Sequence, residues 1–175
     1  MATTYQLISS VTVGSGGAAT IEFTSIPQTY TDLLVKLSLR QSGSSADIQL
    51  QVRFNGNTGA NYSRRTLYGN GSVVETGSGS GETSARFGFA ESSTYTANTF
   101  GSYEMYIPNY TSSNNKSFSD DSVTETNANT IYGIKMGALL WSQTAAITSI
   151  TVQDLVNSTN FAQYSTAYLY GISNA

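Results

Sequence analysis

The chain has 175 residues, a net charge of −3, and neither cysteine nor histidine. These counts exclude a disulfide framework, a thiolate nucleophile, a histidine-dependent triad and zinc sites of the usual kind. Charged residues make up 11% of the chain, while Ser, Thr, Asn and Gly account for 78 of its 175 residues. This balance argues against a nucleic-acid partner, whose binders carry a basic face.

Apolar residues recur with a period of two, which predicts strands. The first candidates lie near 4–13 and 18–24, separated by Gly14-Ser15-Gly16-Gly17, a turn signal because glycine tolerates positive φ. Over 31–40, Leu33, Val35, Leu37 and Leu39 alternate with Leu34, Lys36, Ser38 and Arg40. Over 46–55, Ile48, Leu50, Val52 and Phe54 alternate with Asp47, Gln49, Gln51 and Arg53, and Asn55-Gly56-Asn57 marks the turn that follows. Further candidates are 60–68, 84–90, 101–108 (Tyr103, Met105, Ile107), 116–124 and 130–141 (Ile134, Met136, Ala138, Leu140). The last two are 147–154 (Ile150, Val152) and 164–173 (Tyr168, Tyr170, Ile172). About nine to ten of these eleven segments are expected to be strands. Pro27 and Pro108 fall at strand ends, where a missing N–H matters least. Two polar, weakly patterned stretches, Gly69 to Ser84 and Asn109 to Thr130, read as long loops.

No segment carries the i, i+3, i+4, i+7 period of a helix, and helix formers are scarce. Many strands without a helical layer predict an all-β, antiparallel β-sandwich forming a single domain over 1–175. The opening MATTYQLISS has no basic region or long apolar stretch, and no apolar run approaches 18 residues. The expectation is a protein made in a cytoplasm, with no membrane partner.

Few residues invite a chemical role. Asp120-Asp121 is the adjacent carboxylate pair, with Glu125 nearby. It reads first as charge on a solvated loop; calcium is the sharper alternative, although the spacing of a calcium loop is absent. Arg64-Arg65 on a strand must point to opposite faces, so one is expected to form an ion pair and the other to meet solvent. The twelve tyrosines suit cross-strand packing and also sugar stacking. Trp141, at a strand end, is the best single candidate for a sugar or interface contact, or else a residue at the rim of the core. Nothing predicts a cofactor. With no histidine and one weak carboxylate pair, an enzyme is not expected.

The opening TTYQLISSVTVGSGGAATIEFTSIPQTYTDLLVKLSLR, the central FNGNTGANYSRRTLYGNG and the closing STAYLYGIS resemble small virion proteins of tailed bacteriophages, marine and cyanobacterial ones especially. The resemblance implies a virion structural protein of jelly-roll or related sandwich fold, on the exterior of the particle. It brings no catalytic residues. Two roles stay open. One is a capsid decoration or cement protein that binds the major capsid protein and stabilises the shell. The other is a tail fibre, spike tip or adaptor that binds host-surface glycans. Exterior phage proteins of this kind are commonly homotrimers, so self-association as a trimer is expected.

Overall fold

The computed structural model describes residues 4–45, 48–127, 133–156 and 158–173. Twelve strands form: β1 (Tyr5–Thr12), β2 (Thr20–Phe23), β3 (Asp32–Leu39), β4 (Ile48–Phe54), β5 (Tyr62–Gly69), β6 (Val74–Glu82), β7 (Ala85–Ala90), β8 (Gly101–Ile107), β9 (Lys116–Val123), β10 (Ile134–Trp141), β11 (Ile150–Asp154) and β12 (Thr166–Ile172). No helix occurs among the described residues. Eight strands form one sheet in the order β1-β12-β3-β8-β9-β10-β5-β6, and four form a second in the order β2-β11-β4-β7. All of these pairings are antiparallel. The molecule is therefore a β-sandwich. Within it the order β1-β12-β3-β8 faces the order β2-β11-β4-β7, and β9, β10, β5 and β6 extend the larger sheet.

The inner faces of the two sheets share one core. Leu33, Val35, Leu37 and Leu39 line it from β3, Tyr103, Met105 and Ile107 from β8, and Leu50, Val52 and Phe54 from β4. Burying a side chain of this size is worth about 1.5–3 kcal/mol. A slip of one residue would turn a whole row to solvent, so these rows fix the register. At one end of the core Phe54 packs edge-on against Phe118 (ring centroids 5.1 Å apart) and Trp141 (5.5 Å), and Tyr62 stacks on Trp141 at 6.4 Å. The Asn55-Gly56 turn holds both residues at positive φ. Asn55 Oδ1 accepts from the Thr148 and Ser149 N–H groups, and its Nδ2 donates to the Ala146 carbonyl. This ties the β4 turn to the approach to β11.

Each of the eleven expected segments contains a strand. Residues 46–47 of the fourth segment and 130–132 of the ninth lie outside the described residues. Three expectations need correction. First, the stretch expected to be a loop over 69–84 contains β6, the sheet's edge strand, paired to β5 through the hairpin at Asn70–Val73. Glycine fills its inward positions because neighbours lie close: a Cβ on Gly77 would stand 2.6 Å from Thr66 Oγ1, and one on Gly79 2.5 Å from Glu82 Oε1. The strand therefore has no apolar face to betray it. Second, β9 fills the strand expected near 116–124 and so cuts the loop expected over 109–130, which makes Asp120 and Asp121 strand residues.

Third, the apolar sets chosen on β10 and β12 point away from the core. Ile134 and Met136 are each 59% exposed, whereas Lys135, Leu139 and Trp141 are buried. On β12, Ala167 and Leu169 face inward, and Tyr168, Tyr170 and Ile172 face outward. The larger sheet is thus apolar in part on both faces.

Candidate functional site

The outer face of the eight-stranded sheet is covered by no other described part of the chain. Its side chains fall into cross-strand rows. One row runs Ser10, Tyr168, Lys36, Glu104, Asp121, Met136, Leu67, Thr76 across all eight strands. The neighbouring row runs Leu7, Tyr170, Leu34, Tyr106, Ser119, Ala138, Arg65, Ser78. The face is aromatic at the β1–β12 end, charged in the middle and aliphatic at the β5–β6 end.

At the aliphatic end Leu67, Val73, Val74, Val123, Ile134 and Met136 are all exposed. The β5–β6 hairpin and β10 enclose a shallow pocket of about 350 Å³ there, lined by Leu67, Val73, Val74, Ile134 and Met136. At the aromatic end Tyr5, Leu7, Tyr106 and Tyr168 are exposed. The rings of Tyr168 and Tyr170 stack 6.5 Å apart, and the Tyr106 hydroxyl donates to Asp32 Oδ2 at 2.8 Å. That hydrogen bond raises the proton affinity of the Tyr106 phenol.

In the middle Lys36 Nζ meets Glu104 Oε2 at 2.6 Å, and this hydrogen bond holds the Lys36 ammonium above its ordinary value. Asp121 makes no ion pair among the described residues. Partial burial raises its carboxyl, the Glu104 charge adds to the rise, and Lys36 opposes it. Contiguous exposed apolar area rimmed by polar groups is the mark of an interaction surface.

The candidate residues divide between this face and the interior. Arg64 turns inward, where its Nε lies 3.1 Å from Glu82 Oε2, and Arg86 Nε reaches Glu82 Oε1 at 3.3 Å. Arg65 turns outward to solvent, and its Nη1 donates to the Arg64 carbonyl. The Asp120-Asp121 pair also splits. Asp121 joins the outer face, while Asp120 is buried beside Lys135, with Oδ2 3.9 Å from Nζ. The solvated-loop reading fails because strand alternation drives one carboxylate of the pair into the sandwich. Among the described residues no group of three or more acidic side chains gathers to hold a metal.

Trp141 is 1% exposed and packed against Phe54 and Tyr62, with Lys116 Nζ 6.0 Å from its ring centroid. It cannot offer a face to a sugar. Sequence reasoning missed Lys135, Lys116, Glu82 and Arg40. Lys135 had a signal: it stands between Ile134 and Met136, and a strand phased on Leu139 and Trp141 puts it inside.

Arg40 and Glu91 form a second buried pair, 3.8 Å apart. Arg40 spans the gap between strands, donating to the Tyr95, Thr96 and Thr99 carbonyls. Burial raises the Glu91 carboxyl, and the Arg40 charge opposes the rise. This pair anchors the 92–99 connection. No protein family, curated protein or solved structure matches the chain.

Proposed function

We propose that the chain is a structural subunit of a bacteriophage virion, an exterior capsid decoration or cement protein. It docks through the outer face of its eight-stranded sheet. The observation that carries this reading is the cluster of exposed Leu67, Met136, Ile134 and Val74 around an apolar pocket, on a sheet face that no other described part of the chain covers. Such a face suits permanent burial against another protein. The charged centre, with Lys36, Glu104, Asp121 and Arg65, sets register and excludes wrong partners more than it adds affinity. The partners are further copies, as a homotrimer, and the major capsid protein. A specific contact of this kind buries about 1,200–2,000 Å² in total.

The tyrosine end favours a second reading, a tail-fibre tip or adaptor for host-surface glycans, because Tyr168 and Tyr170 present stacked rings at the surface. Particles lacking the protein separate the two. Loss of heat or osmotic resistance with adsorption intact supports the decoration role. Intact resistance with lost adsorption supports the glycan role. A native mass of three chains supports the trimer.

A further inference from the structure

Lys135 and Asp120 project from adjacent strands into the sandwich. Lys135 stands opposite Ser122 and Asp120 opposite Gly137, so the two side chains meet on the diagonal. Gly137 makes this possible, since a Cβ there would collide with Asp120 Oδ1. The Lys135 and Asp120 side chains are 2% and 0% exposed. Yet they do not form a close ion pair. The 3.9 Å separation exceeds the usual 2.7–2.9 Å of a charge-assisted hydrogen bond, and neither Asp120 oxygen accepts a hydrogen bond that meets ordinary distance and angle limits. Lys135 Nζ donates to the Arg86 carbonyl at 3.1 Å. The Gly88 N–H approaches Asp120 and opposes the rise in its proton affinity. Arg86 and Gly88 both belong to β7, the edge strand of the smaller sheet.

We infer that Lys135 Nζ and Asp120 Cγ condense to a side-chain amide that joins β10 to β9 beneath β7. The surroundings fit the product better than the separate charges. An amide N–H at Nζ keeps the Arg86 carbonyl as acceptor. The amide oxygen faces the Gly88 N–H, and neither Lys135 nor Asp120 keeps a buried charge. The ground state is also prepared. Burial lowers the Lys135 amine to about 8, with the Arg64 charge acting in the same direction and Asp120 and Glu82 opposing. Burial raises the Asp120 carboxyl, Asp121 adds to the rise, and Lys135 opposes it. Each shift favours the uncharged partner that the reaction needs, a free amine and a carboxylic acid.

The step balances without a co-reactant. The Nζ lone pair forms the bond to Cγ, one Cγ–O bond breaks, and that oxygen leaves as water. It carries the acid proton and one proton from Nζ. Nothing is oxidised or reduced.

The intact mass of the folded full-length chain tests this. The expected mass lies one water, about 18 Da, below the sequence mass. Trypsin gives a second readout, because Lys116 and Lys135 are the last basic residues. The amide blocks cleavage after Lys135, so 117–175 stays in one piece and fragmentation places the link between residues 120 and 135. Lys135→Arg restores the full mass. Asp120→Asn reacts with loss of ammonia in place of water. A wild-type chain at its full sequence mass, cut cleanly into 117–135 and 136–175, would overturn the proposal. So would a mass deficit that persists in Lys135→Arg, since that dehydration lies elsewhere.

Discussion

Met136 stands directly opposite Leu67 across the β10–β5 pair, and both side chains face solvent, 59% and 47% exposed. Two large apolar residues paired on an open sheet contribute little to the isolated fold but much to an interface. Met136→Lys combined with Leu67→Lys is therefore expected to shift unfolding by no more than about 0.5 kcal/mol per site, as surface changes do. The same pair of changes abolishes incorporation into particles. Chemical denaturation checks the first outcome, and the protein content of purified particles checks the second.

Trp141 and Tyr168 separate core from surface. Trp141→Ala removes the ring that packs against Phe54 and Tyr62 in the core and is expected to destabilise the fold by about 3–5 kcal/mol. Tyr168 is 38% exposed, and Tyr168→Ala leaves the fold close to wild type. If the chain binds glycans, Tyr168→Ala weakens binding on an array without lowering the unfolding midpoint.

Arg40→Lys tests how the 92–99 connection is held. The guanidinium reaches the carbonyls of Tyr95, Thr96 and Thr99 from one fork, which an ammonium cannot reproduce. A loss of about 1.5–3 kcal/mol is expected, from the weight of hydrogen bonds to a charged group. Chymotryptic cleavage after Tyr95, measured against time, increases in the variant.

The inferred amide has a signature in pH. In Asp120→Ala no amide forms, and Lys135 remains a buried amine. Its ordinary value is 10.5, and burial lowers it to about 8; loss of the Asp120 charge lowers it further. Between the folded and ordinary values the unfolded chain binds more protons than the folded one, so stability rises with pH. The rise is at most about 1.4 kcal/mol per pH unit. Wild type, with Nζ acylated, lacks this slope. Guanidinium midpoints at pH 8 and pH 9.5 distinguish the two, since the variant gains stability across that window relative to wild type.

Which parts of the fold could be read from the sequence follows from how many faces each strand buries. β3, β4 and β8 have one buried apolar row each, and Leu33 to Leu39, Ile48 to Phe54 and Tyr103 to Ile107 give both existence and phase. β10 and β12 carry apolar residues on both faces. The more conspicuous set, Ile134 and Met136 or Tyr168 and Tyr170, is the one the larger sheet turns outward. Phase there depends on cross-strand partners, Trp141 beside Tyr62 and Leu139 beside Phe118, which one-dimensional alternation does not contain. β6 was hidden for the opposite reason: Gly77 and Gly79 leave its inner face to Arg64 and Glu82. The splitting of Arg64 from Arg65 followed from strand geometry alone. The same rule applies to Asp120 and Asp121 once β9 is recognised as a strand. The Lys135–Asp120 contact joins strands through a register that a single sequence does not reveal.

The chain has no cysteine, so Met136→Cys places a single thiol at the centre of the proposed docking face. Its rate of maleimide labelling, compared between the free chain and assembled particles, tests the central claim. Rapid labelling when free and strong protection in the particle is the predicted result. Equal labelling in both states would contradict the account, because the outer face of the eight-stranded sheet would then remain open to solvent after assembly.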